Sequence, residues 1–298
     1  MDANPVSSRS RPEASPQLLV ALFGLTFVTG VIDAVSFLGL GHVFTANMTG
    51  NVVLLGFALG GTGGMSVGRS FAALVAFGSG SVIGGRLTNR RQRSPAAHLL
   101  IAMCAEVGLL SLAAGAALIT SGAMSIATVY LLIVLTAVAM GLRNAVVRKL
   151  AVADLTTTVL TMTVTGLSAD SSLAGGTSPS RNRRMLAILA MCTGAVIGAM
   201  LVRVSGMWGP FLVATLAVSG FASYLYLSER QRSHIRSDSQ RRPDATSSSI
   251  KPWFKEPAHV DRSPENGGDR DRFTERHRVP QKWTPTQPRN LRVFSEFD

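Results

Sequence analysis

Residues 18–40 read LLVALFGLTFVTGVIDAVSFLGL, and this stretch decides the fold class. Asp33 is the only Asp, Glu, Lys or Arg between Glu13 and Arg69. A helix at the surface of a soluble protein alternates an apolar face with a charged face, because half of its surface meets water. A run of about twenty residues without a charged face instead matches the length that crosses roughly 30 Å of membrane hydrocarbon. The stretch therefore predicts a transmembrane helix.

The same pattern continues along the chain as far as Leu227. Glu106 is the only Asp, Glu, Lys or Arg from Ser94 to Leu142, and Arg203 is the only one from Met185 to Ser228. The sequence thus predicts an all-α fold, a polytopic bundle of membrane helices. Eight hydrophobic segments can be placed, at about 18–40, 43–60, 69–86, 97–119, 124–142, 155–169, 185–204 and 209–227.

Two of these segments are short and polar. The second contains Thr, Asn and Gly residues at 45–51, and the sixth contains six Thr residues between 156 and 165. If all eight segments crossed, the Arg cluster at 86–93 would lie outside, against the bias of basic loops toward the cytoplasm. Six full spans with two re-entrant or broken helices place the basic loops inside and the loop at 120–125 outside. We therefore expect six spans plus two short helices, with both termini cytoplasmic.

The chain divides into three parts by composition. Residues 1–17 form a polar arm that we expect to be cytoplasmic, residues 18–228 the transmembrane domain, and residues 229–298 a basic tail. The tail is rich in Arg, Ser, Pro and Asp and poor in aliphatic residues, which predicts disorder because it cannot bury enough apolar surface.

A weak internal similarity relates 18–120 to 124–228. The stretch GSVIGG at 80–85 resembles GAVIGA at 194–199, and Gly30 and Asp33 align with Gly141 and Asn144. Apolar segments match one another easily, so chance similarity is an alternative. If the repeat is real, three full spans in each half make the halves inverted, a recurrent design among transporters.

Composition and motifs argue against several classes of protein. The net charge of +12 comes from basic residues in loops and in the tail, which indicates membrane topology and not a nucleic-acid surface. Cys104 and Cys192 lie in apolar runs and are expected to be buried structural thiols. No metal-ligand spacing, phosphate loop or dinucleotide fingerprint is present, so we predict no cofactor, no metal and no enzymatic activity.

Charged and polar side chains within the apolar segments are the candidates for a site. A carboxylate in the middle of a span costs about 2.5–3.5 kcal/mol, so Asp33 and Glu106 should face the interior and have partners, Asn144 being one candidate for Asp33. The polar groups of the second and sixth segments suit a small solute or an ion, whereas hydrogen bonding between packed helices is the structural alternative. Arg143 is most simply a cytoplasmic anchor, although it could reach an anionic substrate. The predicted binding residues are Asp33, Asn47, Thr49, Gly50, Asn51, Glu106, Asn144, Thr156, Thr157, Thr158 and Thr161.

The same residues carry a family resemblance. GVIDA at 30–34 with FTANMTGN at 44–51, and GLRNA at 141–145 with DLTTTVLT at 154–161, resemble the YoaK-like family of bacterial inner-membrane proteins. The resemblance covers about 18–228 and not the tail. It implies a bacterial plasma-membrane location, and it implies no substrate or reaction.

Three functions remain open from the sequence. The first is a secondary transporter or permease for a small polar or anionic solute, with Asp33 or Glu106 as a proton-coupling group. The second is a non-transporting membrane sensor or assembly protein that acts through its cytoplasmic surface, and the third is an intramembrane enzyme. The expected partners are the lipid bilayer and a small polar solute or a proton, with no nucleic acid. Whether the chain forms a homo-oligomer is not decided by the sequence.

Overall fold

The computed structural model describes residues 15–89, 94–120, 124–150, 160–177 and 180–241, with side chains described up to residue 233. The described residues all belong to one compact unit, and residues 244–298 lie outside the described residues. All regular structure in the described residues is helical. The helices are α1 (Pro16–Gly39), α2 (Met48–Leu59), α3 (Val67–Asn89), α4 (Pro95–Ile119), α5 (Ile126–Leu150), α6 (Leu160–Ala169), α7 (Arg181–Ser205) and α8 (Trp208–Arg241), with a 3-10 turn at Ser172–Ala174 between α6 and α7.

Six of the helices in the described part are long and apolar enough to cross a membrane, and two are shorter apolar helices. The six are α1, α3, α4, α5, α7 and α8, and the two short ones are α2 and α6. The predicted all-α bundle of six spans and two short helices is therefore confirmed.

Serine and proline together define where two of the long helices begin. Ser15 precedes Pro16 and accepts a hydrogen bond from the Leu18 N–H at 3.4 Å. Ser94 precedes Pro95 in the same way and accepts from the Ala97 N–H at 3.2 Å. The serine satisfies a backbone donor that the first turn leaves open, and proline at the first helical position loses no hydrogen bond.

The packing of the helices centres on α1, which is the most buried of the six long helices. It packs closely on α7, and α3 packs closely on α5. Helix α4 contacts both α5 and α8, and α8 in turn contacts α1. The short helices have lesser contacts, α2 with α3 and α6 with α7.

Glycines bring two of these helix pairs into backbone contact. Gly194 on α7 lies against the carbonyl of Phe27 on α1, and Gly80 on α3 lies against the carbonyl of Val138 on α5. A Cβ atom at either glycine would overlap that carbonyl. Small residues at such contacts let membrane helices approach closely and gain van der Waals contact.

Two sequence predictions differ from the structure. Helix α8 continues past Ser228 to Arg241, so the predicted boundary of the tail falls inside a helix. Residues 229–241 are polar, and a helix that is already nucleated by a membrane span propagates into them at little cost. Cys104 and Cys192 are exposed on the outside of the bundle and not buried, because an apolar run in a membrane protein includes its lipid-facing side.

Candidate functional site

The site begins where α1 ends and the chain turns back toward it. Gly41 and His42 both have positive φ angles, 85° and 58°. His42 adopts this conformation although it is uncommon for residues other than glycine. The turn is held by aromatic contacts of Phe37, which stacks on Phe44 at 5.0 Å and meets the His42 ring edge-on at 5.1 Å.

Asn51 fixes the segment that follows this turn. Its Oδ1 accepts from the Phe44 N–H at 2.9 Å, and its Nδ2 donates to the Phe44 carbonyl at 2.5 Å. The side chain of Asn51 is fully buried. The amide thereby satisfies both polar groups of one loop residue that the apolar surroundings would otherwise leave open.

Asn47 and Asp33 hold the start of α2. Asn47 is the N-cap residue, and its Oδ1 accepts from the Gly50 N–H at 3.2 Å. Asp33, on α1, accepts from the Ala46 N–H through Oδ1 at 3.2 Å. A carboxylate at the start of a helix also interacts favourably with the positive end of the helix dipole. Asn47 thus closes the first turn of α2, and Asp33 attaches the start of α2 to α1.

A cavity of about 670 Å³ lies beside this arrangement. Its volume is within the range of roughly 300–1,000 Å³ typical of small-molecule sites. Its wall is formed by α1, by the first two turns of α2, by the loop before α2, and by α6 and α7. The lining residues are Thr29, Asp33, Phe44, Asn47, Thr49, Gly50, Val53, Leu54, Leu160, Thr161 and Met191.

A buried ion pair lies behind the cavity wall. Arg143 on α5 donates from Nη1 to Oε1 of Glu106 on α4 at 2.7 Å, and both side chains are fully buried. Nη2 of Arg143 donates to the Thr29 hydroxyl at 2.6 Å and lies 3.0 Å from the Met140 sulfur. Thr29 in turn lines the cavity. The pair thus links α4 and α5 to the cavity-lining face of α1.

The predicted binding residues fall into three groups. Asp33, Asn47, Thr49, Gly50 and Thr161 are brought together on the cavity wall. Asn51 and Glu106 lie behind the cavity wall and support the residues that form it. Asn144, next to Arg143 on α5, is likewise not among the described residues that line the cavity. Thr156, Thr157 and Thr158 lie outside the described residues.

The interpretation of Arg143 as a cytoplasmic anchor was wrong. Its position directly after an apolar segment, at the beginning of a basic stretch, suggested an exposed side chain, but Arg143 is paired with Glu106 inside the bundle. A buried arginine needs such a counter-charge, because desolvation of an unpaired ion is costly. Glu106 was recognised as needing a partner, and that partner is Arg143.

Several cavity residues were not predicted. Thr29 precedes Asp33 by four residues, which places both on one face of α1, and this spacing could have identified it. Phe44, Val53, Leu54, Leu160 and Met191 are apolar residues in apolar segments, so no feature of the sequence distinguishes them from residues that face lipid.

Comparisons with known proteins agree with the membrane architecture. Residues 21–223 match the family model described as a protein of unknown function, DUF1275. The chain is 34% identical over 193 residues to the UPF0700 transmembrane protein YoaK of Bacillus subtilis (strain 168). That alignment covers 61% of this chain and 82% of the relative. No solved structure matches the chain.

Proposed function

Since the chain belongs to the DUF1275 family, whose members are of unknown function, its function has to be inferred from its own site, and we propose that it is a secondary transporter or permease for a small polar solute. The solute site is the cavity between α1, α2, α6 and α7. The single observation that carries the proposal is that residues of both short helices, α2 and α6, line this one cavity together with Asp33.

Short helices that begin inside a bundle are suited to hold a solute. Asn47, Thr49 and Gly50 belong to the start of α2, and Leu160 and Thr161 lie on α6. The ends of interrupted helices in a membrane present backbone and side-chain polar groups where lipid supplies none. Transporters commonly bind their substrates at such interrupted helices.

The helix contacts support an inverted repeat around the cavity. The contact of Gly194 with Phe27 has a counterpart in that of Gly80 with Val138. The contact of Gly198 with Val31 corresponds likewise to that of Gly84 with Leu142. Gly194 follows Gly80 in the sequence by the same number of residues as Gly198 follows Gly84. Their contact partners behave in the same way, since Val138 follows Phe27 by the same number of residues as Leu142 follows Val31.

The order of helix pairs supports the same interpretation. The pair α1 with α7 corresponds to α5 with α3, the pair α1 with α8 to α5 with α4, and the pair α2 with α3 to α6 with α7. Each half contributes three long helices, an odd number, so the halves would have opposite orientations in the membrane. Two halves that enclose one central site can alternate its access between the two sides.

A flux measurement tests the transporter. The purified protein is reconstituted into liposomes that contain a pH-sensitive dye, and a panel of small amines, amino acids, polyols and carboxylates is added one at a time under an imposed pH gradient. We expect at least one solute to give a saturable proton flux. Asp33→Asn should abolish that flux, because it removes the carboxylate from the cavity wall.

The matched control is Asp170→Asn. Asp170 pairs with Arg184 at 2.6 Å near the start of α7, and its side chain is about half exposed. This substitution removes the same charge away from the cavity and should leave the flux unchanged. Fluxes equal to those of protein-free liposomes for every solute would contradict the transporter. They would favour the second function, which requires a partner at the cytoplasmic surface.

A further inference from the structure

Asp33 is the only charged residue among the described residues that line the cavity. The other described lining residues are hydroxyl, amide, apolar or glycine residues, and none of them carries a formal charge. The Asp33 side chain is mostly buried, so water outside the bundle does little to screen its charge. A solute in the cavity therefore meets one negative group.

Arg143 is close enough to Asp33 for their charges to interact. Its guanidinium is held by Glu106 and by Thr29 behind the wall. Glu106 and Arg143 cancel each other as a pair. With both carboxylates ionised, one negative charge remains among these three buried groups, and it belongs to the residue that lines the cavity.

The dipole of α2 does not reverse this balance. Its positive end is already matched by Asp33, which accepts from the Ala46 N–H, and by Asn47, which accepts from the Gly50 N–H. The dipole of a helix corresponds to about half a unit charge at each end, less than a carboxylate. The start of α2 accordingly holds Asp33 in place without offering a strong anion site.

The rest of the wall suits the apolar body of an amine. Phe44, Val53, Leu54 and Met191 provide apolar and aromatic surface, and Phe44 offers a ring that can attract a cation. Thr49 and Thr161 provide hydroxyl oxygens that accept hydrogen bonds from an ammonium group.

We propose that the cavity binds a small organic cation, with Asp33 as its counter-ion, and that Glu106 preserves this preference by holding Arg143 away from Asp33. The proposal rests on the proposed function, since it names the class of solute for the same cavity. It replaces the anionic solute considered from the sequence.

Three probes of equal chain length test the charge preference. Butylammonium, 1-butanol and butyrate are titrated into the detergent-solubilised full-length protein, and binding is followed by calorimetry and by the shift of the melting temperature. We expect butylammonium to bind and butyrate to bind at least about tenfold more weakly, because an opposite charge near a partly buried carboxylate is strongly favoured over a like charge.

Substitutions then assign the preference to the three ionic groups. Asp33→Asn should remove butylammonium binding, and Asp170→Asn should retain it. Glu106→Gln should weaken it about tenfold or more, because the released guanidinium turns its donors toward Asp33. Nε of Arg143 already has no partner among the described residues, so the guanidinium has a donor to spare.

The double variant Glu106→Gln with Arg143→Gln separates this effect from misfolding. Glu106→Gln alone leaves a buried arginine without its counter-ion, which destabilises a fold. The double variant removes both charges of the pair, so it should fold and should bind butylammonium more strongly than Glu106→Gln does. Size-exclusion profiles and melting curves identify the folded variants.

Several results would overturn the proposal. They are binding of butyrate as strong as that of butylammonium, unchanged binding in folded Asp33→Asn, loss of binding in the folded double variant, or no binding of any probe. None of these results refutes transport itself, because the flux panel contains neutral and anionic solutes. Conversely, a protein that binds butylammonium but moves no solute keeps the cation site and loses the transporter.

Discussion

At the scale of single residues, the site depends on polar side chains that satisfy backbone groups. Asn51 pairs with both polar groups of Phe44, and Asp33 accepts from Ala46. Asn51 and Asp33 are both buried, so these two side chains order the loop before α2. The cavity wall at Phe44 and Asn47 depends on that order.

Asn51→Ala tests this dependence. The substitution leaves the N–H and the carbonyl of Phe44 without partners, and it should reduce the free energy of unfolding by about 1–3 kcal/mol. The measurement is the melting temperature in detergent. Thr49→Ala, in the same turn and with an exposed side chain, serves as the control and should change it little. Equal effects of the two substitutions would mean that Asn51 does not hold the loop.

How much of the site could be predicted differs from one residue to the next. Asp33 and the polar stretch at 45–51 stand out because an apolar span tolerates such groups only where something satisfies them. The pairing of Arg143 with Glu106 could not be predicted, because it depends on the register between α4 and α5. Basic residues near the end of a span usually mark the cytoplasmic side, and that rule led to the wrong position for Arg143.

At the scale of helices, the close contacts of α1 with α7 and of α3 with α5 depend on glycine. A side chain at Gly194 would overlap the carbonyl of Phe27, and a side chain at Gly80 would overlap that of Val138. The carbonyl belongs to a helix backbone, so it cannot move aside without shifting the helix. The two contacts should therefore be equally sensitive to substitution.

Gly194→Ala and Gly80→Ala are expected to lower the free energy of unfolding by about 1–3 kcal/mol each, as overpacking of a close contact does. Gly85→Ala, on α3, is the matched control. A Cβ atom there meets no neighbour, and alanine favours a helix over glycine, so stability should be unchanged or slightly higher. Melting temperatures of the three variants in detergent make the comparison. A loss at Gly85 as large as the loss at Gly80 would contradict the packing argument.

The helices themselves were largely predictable, because long apolar runs leave few alternatives to a span. The polar residues at 45–51 and at 156–165 correctly identified α2 and α6 as short. The end of α8 was misplaced, since composition alone does not show that a helix started by a span continues into polar sequence to Arg241. Which faces meet protein and which meet lipid was not predictable, as the exposed Cys104 and Cys192 show.

At the scale of the whole molecule, the proposed inverted repeat predicts on which sides of the membrane two loop segments lie. If the halves have opposite orientations, the segments after α2 and after α6 lie on opposite sides of the membrane. Thr62 and Ser172 lie in these two segments, and both residues are exposed. Ser94 and Ser125 flank α4, so they provide references for the two sides.

Single-cysteine labelling decides the matter in a background where Cys104 and Cys192 are replaced by serine. Thr62→Cys, Ser172→Cys, Ser94→Cys and Ser125→Cys are each expressed in intact cells and treated with a membrane-impermeant maleimide before and after the membrane is permeabilised. We expect Thr62→Cys and Ser125→Cys to react in intact cells, and Ser172→Cys and Ser94→Cys to react only after permeabilisation. The charge of the loops predicts which side is cytoplasmic, whereas the repeat predicts only that Thr62 and Ser172 differ. Labelling of both from one side would therefore exclude an inverted repeat even if every helix boundary is correct, and alternating access by two opposed halves would then have no structural basis.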